Sequence, residues 1–312
     1  MLMTSHNAYP KTREVSAIVP STQAYAIVDF KTQRVLDSIN GNEQRQVASL
    51  TKIAAAMVVI DWLETSQQPP TSMAFVPRGA FEFGGPNPLG FFAGDSVSVR
   101  DLLYAALLQS DNIAAYTLAE YVGERLIREG RVTITGKKGP LTPQEVFVRQ
   151  MNALAVSLEM FNTLFSNPHG LDHMKGKPPY STAEDMARMA IYAIKRPAFH
   201  FKVSQQQREI TINRYYGQVE IQLLKNTNTL LGEEGIDGIK TGLTSLAGGC
   251  LALSAEKPPI TWKHREKHFR IDRRLVVILL GSTNRFNDGL RLMQWGWVKH
   301  KNWYDSGGPG SD

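Results

Sequence analysis

The stretch "SLTKIAAAMVVIDWLE", residues 49–64, constrains the fold more than any other part of the chain. It consists of good helix formers and carries apolar residues all round rather than along one stripe. A helix with no polar side has no face to give to water, so it belongs at the centre of the protein. "QQPPTS" ends it. Ser49 and Lys52 stand at its start, and positions i and i+3 of a helix share a face. The spacing alone leaves two readings open, a nucleophile with its base or the first turn of a buried helix. Roughly one Ser-x-x-Lys is expected by chance in a chain of this length. A second one, Ser254-Ala-Glu-Lys257, is in fact present.

Around that helix the pattern is mixed. "AYAIVDFKTQRVLDSI" (24–39) alternates and turns in its middle, as a β-hairpin does. Residues 77–97 are rich in Gly and Pro and read as loop. "SVSVRDLLYAALLQSDNIAAYTLAEYVGERLIREG" reads as two helices interrupted at "QSDN". A polar Gly/Lys insertion (130–141) follows. Next comes a helix capped by Thr142, with Pro143 first and Glu145 three residues after the cap. "NPHGLD" is a turn, and "STAEDMARMAIYAIK" is a helix capped by Ser181 or Thr182, with Pro197 soon after its end. From about 208 the pattern becomes strands: "REITINRYY", "GQVEIQLLKNT", "GIDGIKTGLTSLAGGCLALSA" and "RRLVVILLGS". "NRFNDGLRLMQWGWVKH" is a closing amphipathic helix.

The predicted architecture is α+β: one antiparallel sheet flanked by helices, with an inserted, mainly helical lobe. The N-terminal hairpin and the C-terminal strands share the sheet. The expected divisions are an N-terminal extension (1–21), one catalytic domain (22–304) and a disordered tail (305–312). Within the domain, the sheet lobe takes about 22–76 and 200–304 and the helical lobe about 77–199. A cleft between lobes is a usual place for a site.

Composition narrows the classes. With 42% apolar residues, the 312-residue chain can bury a substantial core. Its longest apolar runs fall short of the roughly eighteen residues a membrane span needs, so no transmembrane segment is expected. No segment with the pattern of an export signal stands at the N-terminus. A single cysteine, Cys250, excludes an intramolecular disulfide. It lies in a strand-like run with no basic partner beside it. Net charge is +6, and "WKHREKHFRIDRR" (262–274) holds six Lys or Arg. That stretch sits between two strand-like runs and reads as a solvated hairpin. No zinc-finger, RNA-binding aromatic or phosphate-loop signature points to nucleic acid.

Two further triplets give Ser49 and Lys52 a context. Ser110-Asp111-Asn112 falls between two helices, and Lys240-Thr241-Gly242 falls on a strand. Each is weak alone. Ser-x-x-Lys, Ser-Asp-Asn and Lys-Thr-Gly in this order form the set shared by penicillin-binding proteins and class A β-lactamases. The chain resembles the low-molecular-mass penicillin-binding proteins, the serine D-Ala-D-Ala carboxypeptidases of peptidase family S11. "ASLTKI", "LLYAALLQSDNIAAYTLAEYVG", "NPHGLD", "YSTAEDMARMA" and "NTNTLLGEEGIDGIKTGLTSLAGGC" match its pattern in order, over about residues 22–300.

The resemblance implies a β-lactamase/transpeptidase-like fold and a serine DD-peptidase acting on peptidoglycan peptides ending in D-Ala-D-Ala. β-Lactams would be covalent inhibitors. No metal or organic cofactor is implied. The setting would be periplasmic or extracytoplasmic, the export signal being absent from this sequence. Ser49 would be the nucleophile and Lys52 its base, kept neutral by burial and by a second cation, Lys240. Ser110 would relay a proton, and Asn112 would hold a substrate amide and the Lys52 amine. Lys240 and Thr241 would hold the substrate carboxylate, with Gly242 allowing close approach. By the family pattern the backbone N–H groups of Ser49 and Leu243 form the oxyanion hole.

Three departures from that pattern stand out. Leu243 occupies a position where some members have a polar residue. Thr227 replaces an Arg that grips substrate in some members. Leu158-Glu159-Met160 replaces Leu-Gly-Met, which sets Glu159 at a helix end where it strains the backbone.

Rival readings are a DD-endopeptidase on cross-links, a β-lactamase, a metallopeptidase and a non-catalytic module that binds wall peptides or β-lactams. A class A β-lactamase needs a Glu-x-x-Leu-Asn loop, and only Glu209 to Asn213 matches it loosely. "HREKH" (264–268) and "HGLDH" (169–173) lack the Glu directly after the first His that zinc peptidases use.

Overall fold

The computed structural model describes residues 20–82, 86–130, 135–136, 139–172, 178–264 and 267–308. The first half contains β1 (Ala24–Asp29), β2 (Val35–Ile39), α1 (Thr51–Thr65), β3 (Met73–Phe75), β4 (Ser96–Ser98), α2 (Val99–Leu108) and α3 (Asn112–Arg128). After these come β5 (Thr135–Gly136), β6 (Gly139–Pro140), α4 (Pro143–Ser157), α5 (Ala183–Ile194) and α6 (Pro197–Val203). The last part is β7 (Gln207–Asn213), β8 (Val219–Lys225), β9 (Ile236–Thr244), β10 (Gly248–His264), β11 (Lys267–Ser282) and α7 (Arg285–Asp305).

The main sheet has the order β2-β1-β11-β10-β9, and every pairing in it is antiparallel. The N-terminal hairpin therefore pairs with the C-terminal strands, as the sequence implies. Both faces of the sheet are covered. Ala24, Ala26, Val28, Val276, Ile278 and Leu280 point into the core shared with the helices. Tyr25, Ile27, Leu275, Val277 and Leu279 point the other way, onto Leu292, Met293 and Trp297 of α7. Burial on both faces explains why "RLVVILLG" is a continuous apolar run rather than an alternating one. It also seats the aromatic, basic end of the chain on the sheet. No helix among the described residues is long and apolar enough to cross a membrane.

α1 occupies the centre, packing against α2, α3, α4, α5 and α6. Twelve of its fifteen residues are buried, Lys52 among them, as the absence of a polar face requires. The capping box at Thr142 and Glu145 forms as read, and Thr182 is the cap of α5. Pro197 follows soon after the end of α5, as expected. It takes the first position of α6, where its missing N–H costs nothing.

One expectation fails. β7 and β8 do not join the main sheet. They form a second sheet, in the order β3-β4-β7-β8, through the register Val97↔Ile212. Its inner face, with Ile210, Ile212 and Leu224, is buried in the core against α2. β3 and β4 fall within or beside stretches read as turn and loop, and at three residues each they are too short to show a strand period.

The basic stretch 262–274 lies in a two-stranded ribbon, where β10 and β11 pair on to His264↔Lys267 beyond the ends of β9 and β1. Residues 265–266 lie outside the described residues. The expected tail starts at the last residue of α7, Asp305, and residues 309–312 lie outside the described residues. Of the expected N-terminal extension only Pro20 and Ser21 are described, and the Ser21 hydroxyl donates to Asp288 of α7 at 2.6 Å.

Glu159 closes α4 in the left-handed conformation, with φ 58°. Met160 N–H bonds Ala155 O at 2.9 Å and Glu159 N–H bonds Val156 O at 3.0 Å, so the helix ends in a Schellman motif. Glycine suits that position. The carboxylate's ion pair to Arg188, at 3.7 Å, is exposed and contributes little. Glu159→Gly is expected to raise stability by about 0.5–1 kcal/mol, read as a higher urea midpoint at unchanged slope.

Candidate active site

The site forms where three elements meet the start of α1. Ala48, in the left-handed region at φ 47°, leads into a single 3-10 turn (Ala48–Leu50) that carries Ser49. Lys52 sits in the first turn of α1 and has no solvent exposure. Its Nζ lies 2.9 Å from Ser49 Oγ, 2.7 Å from Asn112 Oδ1 and 2.8 Å from the His169 carbonyl. Burial drives its pKa down to about 7, against the opposing pull of Asp111.

Asn112 reaches Lys52 because α2 and α3 are joined by a tight turn. Ser110 takes φ 60° there, and the Asp111 carboxylate caps α3 by accepting from Ala114 N–H at 2.8 Å. The Asp111 side chain is buried, and desolvation raises its pKa to about 6. The turn before Gly170 supplies the third contact to Lys52. Asn167 Oδ1 accepts from Gly170 N–H at 2.6 Å and from His169 N–H at 3.2 Å, which fixes the His169 carbonyl. Gly170 has φ +84°, and a Cβ there would stand 1.9 Å from the Ala48 carbonyl. The turn and the Ser49 backbone are in direct contact because the residue is glycine.

β9 forms the other wall. Gly242 lies so near Ser49 that a Cβ on it would sit 3.1 Å from Ser49 N. Lys240 is 1% exposed, and its Nζ donates to Thr241 O at 3.0 Å. Burial holds its pKa well below the usual lysine range, reinforced by the charges of Lys52 and Arg285. The hydroxyls of Thr241 and Thr227 are 2.7 Å apart, and Thr227 Oγ1 donates to Leu108 O at 3.0 Å. Thr227 therefore ties β9 to the end of α2 instead of offering a cation. The Leu243 side chain is exposed.

Ser49, Lys52 and Asn112 are thus in hydrogen-bond contact, with Lys240, Thr241 and Gly242 alongside. The Ser110 hydroxyl makes no hydrogen bond to a described residue. Three groups escaped the sequence reading. The His169 carbonyl is a backbone acceptor without a side-chain signature, in a turn singled out for other reasons. Asp111 has no signature beyond its place between Ser110 and Asn112. Arg285, from the start of α7, donates to Gly242 O at 2.7 Å, and nothing in "TNRFND" distinguishes it.

The rival features do not gather into sites. Glu209 is exposed on β7, opposite Leu223. Cys250 is buried in β10 beside Gly242, and burial pushes its thiol up to about 11, so it stays protonated and unreactive. No cluster of metal-ligating side chains occurs among the described residues. His173, Arg265 and Glu266 lie outside them.

The sequence matches the peptidase S11 family, described as D-alanyl-D-alanine carboxypeptidase, over residues 11–125 and 142–261. The chain belongs to this family. It is 30% identical over 297 residues to the D-alanyl-D-alanine carboxypeptidase DacC of Escherichia coli, covering 93% of this chain and 64% of that protein. The chain thus spans under two thirds of the length of that relative. Among solved structures, the Streptomyces K15 DD-transpeptidase superposes with a TM-score of 0.74 at 24% identity, covering 91% of this chain and 100% of that one. Penicillin-binding protein D2 of Listeria monocytogenes, in its ampicillin-bound form, gives 0.68 at 25% identity, covering 90% and 99%. The S11 fold is thereby established for this chain, α+β with an antiparallel sheet between helical layers.

In this S11 chain the packing of Gly170 on Ala48 is expected to tolerate no side chain. Gly170→Ala should lower unfolding stability by about 2–3 kcal/mol, measured by denaturant titration, because either the turn or the Ser49 backbone must move.

Proposed function

We propose that the chain is a serine DD-peptidase that cleaves between the two D-alanines of peptidoglycan stem peptides, outside the cytoplasmic membrane. The observation that carries this reading is the setting of Lys52. Asn112 Oδ1 and the His169 carbonyl can only accept, so they occupy two N–H bonds. A neutral amine has two N–H bonds and one lone pair. With both N–H bonds taken, the lone pair is left for Ser49 Oγ–H at 2.9 Å. Neutral Lys52 is thus fully satisfied as a base, and a pKa near 7 makes that form abundant at neutral pH.

The steps follow from that arrangement. Ser49 Oγ bonds the carbonyl carbon of the penultimate D-alanine while its proton passes to Lys52 Nζ. The negative oxygen is taken by the backbone N–H groups of Ser49 and Leu243, donors of a kind that contribute about 3–4 kcal/mol each. Collapse breaks the C–N bond, and the departing amine takes the proton from Lys52, with Ser110 as relay. Water, giving a proton to Lys52, then bonds the acyl carbon; the acyl–Oγ bond breaks and Ser49 Oγ takes that proton back from Lys52. The Lys240-Thr241-Gly242 edge of β9 pairs with the extended substrate. The arriving carboxylate supplies the counter-charge that restores the proton on Lys240. β-Lactams acylate Ser49 in the same way. The sequence lacks the Glu-x-x-Leu-Asn loop that activates water in class A β-lactamases, so the adduct persists for minutes or longer.

Mass spectrometry of the products from a pentapeptide monomer and a cross-linked dimer tests the reading. Loss of one D-Ala by the wild type and none by Ser49→Ala is expected, and cleavage of the dimer would place endopeptidase beside carboxypeptidase. If D-Ala is not released, while Ser49→Ala binds the peptide as well as the wild type does, the chain is a binding module.

The pH dependence has a definite sign. Lys52 acts as base only when neutral, so acylation by benzylpenicillin should rise through about pH 7 and level off above about pH 8. A rate flat across that range would remove Lys52 from the role.

A further inference from the structure

Lys52 lies among groups that act on its charge in opposite senses. Its own element brings only Ser49. From the α2–α3 junction come Asn112 and, one residue before it, Asp111. The 167–170 turn brings the His169 carbonyl and imidazole, and burial keeps that imidazole neutral by lowering its pKa to about 3. β9 brings Lys240, next to Arg285 of α7. Burial and the positive end of α3 disfavour a proton on Lys52. Asp111 is the acid that favours one.

The cap alone does not explain a carboxylate at this place. Capping α3 seats Oδ1 on Ala114 N–H, and the Ile113 N–H also acts on the carboxylate. Asparagine or serine caps as well, without charge. The other oxygen, Oδ2, is buried and has no hydrogen-bond partner among the described residues. A buried carboxylate oxygen left unpaired is costly, so the charge needs a reason beyond the helix end.

We propose that Asp111 is a positioning residue of the serine-peptidase chemistry, a buried counter-charge that keeps Lys52 basic enough to take the Ser49 proton and hold it for the leaving amine. The inference rests on the reading of the previous section. Without Asp111, Lys52 would be neutral but a weaker base, and proton transfer in the transition state would lose driving force. The charge acts from the residue before Asn112, so one helix end delivers both the hydrogen bond and the field to the same ammonium.

Asp111→Asn keeps the cap and removes the charge, and Asp111→Ser is a second capping variant. In protein carrying [ε-13C]lysine, the Lys52 resonance is identified by its loss in Lys52→Arg and titrated by NMR. Its inflection is expected to fall by roughly one unit in both Asp111 variants. Benzylpenicillin acylation at the alkaline plateau should fall several-fold, with its acidic limb moved the same way. An inflection that stays in place in the folded variants overturns the inference, whatever the activity. Failure of both to fold overturns it too, by making Asp111 structural. A wild type that benzylpenicillin does not acylate overturns the serine-peptidase reading instead, and the NMR titration still decides Asp111.

Discussion

A lysine amino group with no access to water governs this molecule. Lys52 is among the largest fully buried side chains of the described residues, and nothing in the core would repay its desolvation if it were merely structural. It is kept by acceptors from the α2–α3 junction and the 167–170 turn, together with the hydroxyl one turn back on its own helix. Each must hold its position for the others to be useful. A displaced His169 carbonyl would leave a buried N–H unpaired, and a displaced Asn112 would do the same. The surrounding fold is the means of fixing these acceptors around one nitrogen.

That requirement accounts for the backbone around the site. Ala48 and Ser110 hold left-handed conformations that residues with side chains rarely take. The first aims Ser49 out of the start of α1, and the second turns α2 sharply so that α3 begins with Asn112 facing Lys52. Such conformations cost of order 1–3 kcal/mol each and survive where the surroundings over-determine them. Here those surroundings are the α1 core, the 167–170 turn against Ala48, and β9 against the Ser49 N–H. Burial supplies the rigidity, and the same burial lowers the lysine pKa.

Much of this was legible in the sequence. An all-round apolar helix could lie only at the centre, and the capping box at Thr142 and Glu145 left little doubt about α4. The three motifs fell in order on a helix start, a helix junction and a strand, and the structure brings those places together. The strain expected at Glu159 is present as a positive φ. What stayed hidden had physical reasons. β3 and β4 are too short for a period to register, so the second sheet had no visible partners for β7 and β8. Pro197 reads equally as the stop of one helix or the start of the next. The His169 carbonyl contributes through its backbone, where residue type carries no information. Asp111 was concealed by its own success as a cap, which explained its presence without its charge.

The two Ser-x-x-Lys sequences show where the chemistry comes from. Ser254 and Lys257 lie on β10, and on a strand residues three apart point to opposite faces. Ser254 is buried and receives a hydrogen bond from Arg274 at 2.7 Å. Lys257 reaches outward to Glu234 at 3.5 Å and lies over the Trp297 ring. Its ammonium is partly exposed and paired with an acid. Ser49 and Lys52 have the same spacing on a helix, which puts both on one side, and a core position, which makes the amine's charge expensive. Spacing alone distinguishes neither pair. Conversion of a lysine into a base needs the helix to align it with the serine and the interior to discharge it. In this chain only the stretch apolar on every face supplies both to a Ser-x-x-Lys pair.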